Sequence, residues 1–309
     1  MKKSLSKNSV MKFFGKIYLN TLRIIAEKVA CHVLFVEKKF APSQKGRMQD
    51  RLTRLCKEQW LTVHLCQGSD RSTFASSIEL CVSGSLPWFR AESFHSKEPE
   101  TLSWIDGMDE GAIFWDIGAN VGLYSVYAAM KRRARVFAFE PSVFNLELLA
   151  KNIFANRMEE QIVIIPVPLS DITECSMFKL SDTCSGGACS TFDKKLGFDG
   201  KPLATAFAYS MMGICGDDVI KTGAISLPDY IKIDVDGIEH YILAGMKTVL
   251  SQNKVKSVLI EGNEDFPEQV EKIAEIMQQC GFVLREKTHS EMFSGTGSFS
   301  HTYNQIWRR

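Results

Sequence analysis

The stretch "WDIGANVG", residues 115–122, decides the fold. It follows the apolar run "AIFW" and opens a segment of helical periodicity, so it reads as a strand-to-helix turn. Turns of this kind often bind nucleotides, and the dinucleotide fingerprint is G-x-G-x-x-G. Here the pattern is Gly118-x-Asn120-x-Gly122, with Asp116 ahead of the first glycine. The middle glycine is missing and an acid precedes the turn, so a different ligand has to be considered.

Working outward, "AIFWD" (112–116) is a buried strand and "VGLYSVYAAMKRR" (121–133) a helix with basic residues in its last turn. "RVFAFE" (135–140) is a second strand, "SVFNLELLAKNIFANR" (142–157) a helix capped by Ser142, and "IVIIPVPL" (162–169) a third strand. Residues 170–228 break the rhythm with short strands and loops, including the flexible "SDTCSGGACSTF". It resumes with "YIKIDVD" (230–236), a helix over 238–250, "KSVLIEG" (256–262), a helix over 267–279, "GFVLREK" (281–287) and "TYNQIW" (302–307). Strands alternating with helices predict a parallel sheet covered on both faces. Ligands of such sheets bind beyond the carboxyl ends of the strands. Asp116, Glu140, Asp171, Asp234, Asp236 and Glu261 all fall at or just past those ends.

The 309 residues carry a net charge of +1, with 45% apolar and 24% charged residues. That is an ordinary globular balance with no electrostatic case for a nucleic-acid partner. Nine cysteines without a C-x-x-C pair fit free thiols in a reducing cytosol, so a cytoplasmic location is expected. Residues 1–36 are basic and apolar at helical spacing. Such a helix can lie on an anionic membrane surface, a peripheral contact, or dock on the protein's own core, which is the favoured reading. Short segments between Trp60 and Phe94, "WLTVHLC" and "SIELCV", suit strands of a small β-rich cap. Residues 1–89 are therefore expected as an N-terminal helical and β-rich extension, and 90–309 as the main domain.

A pyrophosphate would be repelled by so many carboxylates. S-adenosylmethionine would not, because it brings a sulfonium, an ammonium and one carboxylate. Gly118 and Gly122 allow close backbone approach. Free N–H groups at the start of the helix can take the ligand's carboxylate. Asp116 can draw the ammonium, and Glu140 can accept from both ribose hydroxyls.

"FWDIGANVGLYS", "VFAFEPSVFNLELLAKNI", "PVPLSD", "YIKIDVDGIEHYILAG" and "VLIEGN" resemble, in order, the successive blocks of FkbM-type S-adenosylmethionine-dependent methyltransferases. The resemblance runs over roughly residues 90–309, from "KEPETLSWID" to "NQIWRR". It implies an α/β class I methyltransferase (Rossmann-like) sheet of order 3-2-1-4-5-7-6 with the seventh strand antiparallel. It implies O-methylation of a hydroxyl on a saccharide, glycolipid or secondary metabolite. It assigns Asp116, Gly118, Asn120 and Gly122 to the cofactor loop and Glu140 to the ribose. It places Pro141, Ser142, Ser170 and Asp171 around the adenine. Asp234, Asp236 and Glu239 come from "KIDVDGIEH", where many relatives carry Glu in place of Asp236.

An alcohol needs a base beside it. Asp234 or Asp236 is expected as base or hydroxyl ligand, with His240 a weaker candidate. Asp234, Asp236 and Glu261 could share Mg²⁺, but nothing fixes octahedral geometry and no metal is expected. Trp88, Phe89, Arg90 and Trp104 suit either an acceptor pocket or the core. Two other functions stay open at this point, a nicotinamide-dependent oxidoreductase and a catalytically degenerate binding scaffold. The acidic strand ends and the missing glycine oppose the first, and the intact cofactor blocks oppose the second.

Overall fold

The computed structural model describes residues 59–65, 77–289, 292 and 299–309. The proposed helix over 1–36 lies outside them. β1 (Trp60–His64) and β2 (Ser77–Cys81) pair antiparallel as a hairpin. Three helices follow: α1 (Ser85–Glu92), α2 (Phe94–Lys97) and α3 (Pro99–Asp106). The alternating segment is β3 (Ile113–Ile117), α4 (Leu123–Arg132), β4 (Arg135–Phe139), α5 (Val143–Ala155) and β5 (Ile162–Ile165). The insertion supplies β6 (Leu169–Ser170), β7 (Glu174–Leu180), β8 (Ser190–Phe192), β9 (Phe207–Cys215) and α6 (Gly216–Lys221). Then come β10 (Tyr230–Ile233), α7 (Glu239–Ala244), α8 (Lys247–Leu250), β11 (Ser257–Asn263), α9 (Pro267–Gln279), β12 (Val283–Thr288) and β13 (Thr302–Arg308).

Seven strands form the main sheet in the order β12-β13-β11-β10-β3-β4-β5. β3, β4, β5, β10 and β11 run parallel, while β13 is antiparallel to both its neighbours. Counted from β3 as the first strand, that is the 3-2-1-4-5-7-6 order implied by the resemblance. The pleat sends alternate residues to opposite faces. Phe114, Val136, Tyr230 and Leu259 join one core with Trp104, Ile105 and Tyr127. Trp115, Phe137, Ile231, Val258 and Trp307 join the other with Ile242, Ile273 and Met277. Trp104 is thus a core residue, its indole N–H bonded to Ser257 Oγ at 2.9 Å.

Three expectations change. The third strand stops at Ile165, and Leu169–Ser170 pairs instead with β9 in a second sheet of order β6-β9-β7-β8. Pro166 and Pro168 lack the N–H that would continue the ladder. The helix over 238–250 divides at Gly245, where a Cβ would lie 2.1 Å from the Ser170 carbonyl oxygen. The boundary at residues 89/90 is not a break in packing: Trp60–Arg309 form one compact unit, and Ile78, Leu80 and Val82 lie in the same core as α4.

The free edge of β2 is satisfied by two amides four residues apart, Asn152 on α5 and Asn156 at its C-cap. Asn152 Oδ1 accepts from Cys81 N at 2.7 Å while its Nδ2 donates to Val121 O at 2.7 Å. Asn156 accepts from Glu79 N at 2.9 Å and donates to Glu79 O at 2.7 Å. Asn152→Ala is expected to cost about 2–4 kcal/mol, since it strands a buried N–H and a buried carbonyl. Urea unfolding measures this, and an unchanged midpoint would contradict the role given to Asn152.

Candidate active site at the carboxyl ends of the central strands

The turn after β3 needs left-handed backbone at Gly118 (φ 84), Asn120 (φ 51) and Gly122 (φ 81). A Cβ on Gly118 would sit 1.9 Å from the Asp234 carbonyl oxygen, and one on Gly122 would sit 2.4 Å from Leu149 Cδ1. Asn120 tolerates its conformation because its side chain is tied down, its Nδ2 donating to Gly187 O at 2.8 Å. The N–H groups of Gly118 and Ala119 both donate to Phe139 O, and that of Gly122 to Ala119 O. The N–H groups expected to await a carboxylate at this turn are therefore partly committed to the turn itself.

Asp116 is buried. Its Oδ2 accepts from Ser125 Oγ at 2.5 Å, and its Oδ1 has no hydrogen-bond partner. Burial raises its pKa, opposed by the nearby Lys232 charge. Glu140 accepts from Asn120 N at 2.8 Å and Ser142 N at 2.7 Å. Burial still pushes it up to about 7. Ser142 makes no side-chain cap to α5; the bond from its own N–H to Glu140 is what fixes the turn. Pro141 lines the cavity beside Glu140.

Beyond β10, Asp234 Oδ2 accepts from Lys232 Nζ at 2.7 Å. Lys232 is 1% exposed and stays protonated because the adjacent negative charges outweigh its burial. Asp234 is correspondingly held below its ordinary value, by Lys232 first and Lys97 next, against the effect of burial. Asp236 accepts from Cys189 N at 2.7 Å and rises to about 6, through burial and the charge of Asp234. Glu261 is pushed well up by burial and by Asp234 and Asp236. Oxygens of Asp234, Asp236 and Glu261 lie within 4.8 Å of one another. The countercharges at this cluster are Lys232, Lys97 and Arg90. Glu239 faces away from it, holding Val235 N and Gly237 N and accepting from Gln269.

Three of the expected residues lie elsewhere. Ser170 and Asp171 bond one another at 2.9 Å, and Asp171 pairs with Lys194 at 3.2 Å. The cavity is lined instead by Val167, Pro168 and Leu169 from that segment. His240 is sealed against Phe266 and Tyr241, and neither ring nitrogen has a hydrogen-bond partner. Residues not singled out as site residues are Asn145, which holds Gly186 N and Gly187 O, and Lys232, Glu98 and Tyr124. For Lys232 the signal was available: a charged residue between two isoleucines of a buried strand is rarely unpaired.

The loop at Gly186–Cys189 covers the turn, and the cavity left beneath it is about 50 Å³. Arg90 Nε reaches Gly186 O at 3.1 Å, so α1 borders the same loop, with Trp88 and Phe89 exposed on it.

The FkbM methyltransferase domain matches residues 116–284. The chain belongs to the FkbM methyltransferase family. The hexuronic acid methyltransferase AglP of Haloferax volcanii is 25% identical over 169 residues, which is 55% of this chain and 64% of that protein. The chain thus spans less than two thirds of that relative's length. Among solved structures, an FkbM methyltransferase from Methylobacillus flagellatus is 15% identical with a TM-score of 0.43, covering 65% of this chain and 44% of its own. A precorrin-6y C5,15-methyltransferase from Geobacter metallireducens is 12% identical with a TM-score of 0.41, covering 69% and 86%.

His240 in this FkbM domain offers a test of its surroundings. Burial lowers its pKa to about 4, so the unfolded chain binds a proton between about 6.5 and 4 that the folded chain does not. Its contribution is therefore intact above about pH 6.5 and is lost as pH falls toward 4, by up to ~3 kcal/mol. His240→Phe is expected to remove that part of the acid sensitivity. Unfolding measured at pH 7 and pH 5 checks it, and an identical pH dependence in the variant would refute it.

Proposed function

We propose that this chain transfers the methyl group of S-adenosylmethionine to a hydroxyl of a saccharide, a glycolipid or a secondary metabolite. The observation that carries the reading is the unpartnered, buried Oδ1 of Asp116, beside a turn where any Cβ on Gly118 would meet backbone. A buried carboxylate oxygen without a donor is costly unless a ligand supplies one. An ammonium does so. Glu140 Oε2 accepts from Asn120 N and keeps capacity for a ribose hydroxyl, while Oε1 is held by Ser142 N and Asn145. A pyrophosphate would meet Asp116, Asp234 and Asp236 at the same edge, which disfavours a nicotinamide dinucleotide.

When bound, the sulfonium supplies a methyl carbon already activated for in-line displacement. The chain's own residues have to place the acceptor and take its proton. Asp234 is fixed by Lys232 and serves to hold the hydroxyl rather than to deprotonate it. Asp236 titrates near about 6, close enough to working pH to accept a proton efficiently. Its charge is needed, so the rate is expected to rise with pH through about 6 and level off above. The saccharide class is supported by the Haloferax relative, a hexuronic acid methyltransferase. Exposed Trp88 and Phe89 near the loop offer aromatic faces of the kind sugars stack on. Lys232, Lys97 and Arg90 already offset the acids, so activity is expected to survive EDTA.

Calorimetry with S-adenosylmethionine and S-adenosylhomocysteine tests the reading. Asp116→Ala should weaken binding at least ~10-fold by removing the ammonium's partner. Asp236→Asn should leave affinity within about threefold and reduce turnover on a saccharide acceptor by ~100-fold or more, read by mass spectrometry as loss of the added methyl. Wild-type protein that binds neither cofactor form would sink the proposal.

A further inference from the structure

Lys232 is not needed to fill space at its position. It is fully buried in the middle of the sheet, where an apolar side chain would satisfy the core without a desolvation cost. Tyr230 and Lys232 share one face of β10, Asp234 follows directly beyond the strand, and Asp116 is the register partner of Lys232 on β3. The ammonium therefore sits between the cofactor acid of one strand and the acceptor-side acid of the next. It bonds Asp234 Oδ2 at 2.7 Å and lies 5.1 Å from the centre of the Tyr124 ring. The Tyr124 hydroxyl donates to Glu98 Oε2 at 2.9 Å, and Glu98 is held in turn by Lys97 and Thr101. The stem of α4 and the start of α3 thus close over the ammonium with an aromatic face and a second carboxylate.

We propose that Lys232 is a positioning residue that sets the charge met by the cofactor's sulfonium, fixing Asp234 as an oriented anion and cancelling part of the field of Asp116 and Glu98. The inference rests on the cofactor reading above. Six acids face this end of the sheet, Asp116, Glu140, Asp234, Asp236, Glu98 and Glu261, against Lys232, Lys97 and Arg90. Without Lys232 the excess negative charge would hold the positively charged cofactor more tightly than its neutral product. That ground-state preference works against transfer, in which the sulfonium charge disappears. With Lys232 in place the two forms are brought closer in affinity, and Asp234 cannot swing toward the sulfonium and pair with it.

The test uses two ligands that differ by that one charge. Dissociation constants for S-adenosylmethionine and S-adenosylhomocysteine are measured at pH 8 on the full chain and on variants. Lys232→Met should move their ratio about tenfold toward S-adenosylmethionine, while Lys232→Arg, which keeps the cation, should leave it within about twofold. Glu98→Gln removes an acid from the same ammonium and should move the ratio the opposite way, by about threefold. A loss of structure alone would weaken both ligands together and leave the ratio unchanged. Should Lys232→Met fail to fold, the sign of the Glu98→Gln shift decides. A wild-type chain that binds both ligands, with ratios unchanged in the folded variants, overturns the role of Lys232. A wild-type chain that binds neither overturns the cofactor reading, and this inference with it.

Discussion

The site depends on one close approach. Where the chain leaves β3, Gly118 passes so near the backbone after β10 that no side-chain carbon fits between them. The two strands are hydrogen-bonded neighbours up to Ile117 and Ile233, and the bond from Asp234 N to Ile117 O extends the contact one residue further. Asp116 and Asp234 are thereby delivered to one edge from positions far apart in sequence. Glu140 joins them because Phe139 O accepts from both Gly118 N and Ala119 N, locking the end of β4 to the same turn. The glycine spacing that first suggested a nucleotide thus serves the meeting of strand ends as much as ligand contact.

Bringing acids together in a buried edge has an electrostatic cost, and the structure meets it in different ways. Asp234 receives a full ammonium. Glu140 receives backbone N–H groups and Asn145. Asp236 has one backbone donor, from a loop, and Glu261 has neighbouring charges of its own sign. The result is a gradient across the site, from an acid locked in its ionised form to acids that protonate readily. General-base chemistry uses the second kind, and substrate orientation the first. The opposite pKa shifts of Asp234 and Asp236 follow from their partners, since both are the same residue type two positions apart.

Much of the fold was legible because its signals are local and repeated. Each strand of "AIFWD", "RVFAFE", "YIKIDVD" and "KSVLIEG" is a short apolar run ending in an acid, and each is found as a strand of the main sheet. The errors came where one residue overrides a run. Pro166 and Pro168 end the third strand early, and a backbone contact at Gly245 divides a helix that periodicity alone would continue. The meeting of side chains was legible where they sit at strand ends, as for Asp116, Glu140 and Asp236, which lie at one edge of the sheet. Ser170 and Asp171 share that position in sequence, but the Pro-broken strand turns them toward Lys194. His240 follows the acids closely in sequence, yet on α7 it points toward Phe266. Asn145, Tyr124 and Glu98 act through side chains that reach across from helices and loops, a placement that no local pattern encodes.

The loop at Gly186–Cys189 connects these observations. Its carbonyl at Gly187 takes both Asn120 and Asn145, and its N–H at Cys189 takes Asp236. The loop therefore satisfies, with backbone, polar groups drawn from several elements at the carboxyl ends of the strands. With it in place the cavity at the strand ends is about 50 Å³ and is lined by Gly187 together with Glu140, Asp234 and Asp236. Gly186 and Gly187 bring little side-chain surface to bury, so the segment is held mainly by these hydrogen bonds. Moving it also frees Asp236 from its sole backbone donor. One short segment thereby ties together the turn after β3, the first turn of α5 and the carboxylate beyond β10.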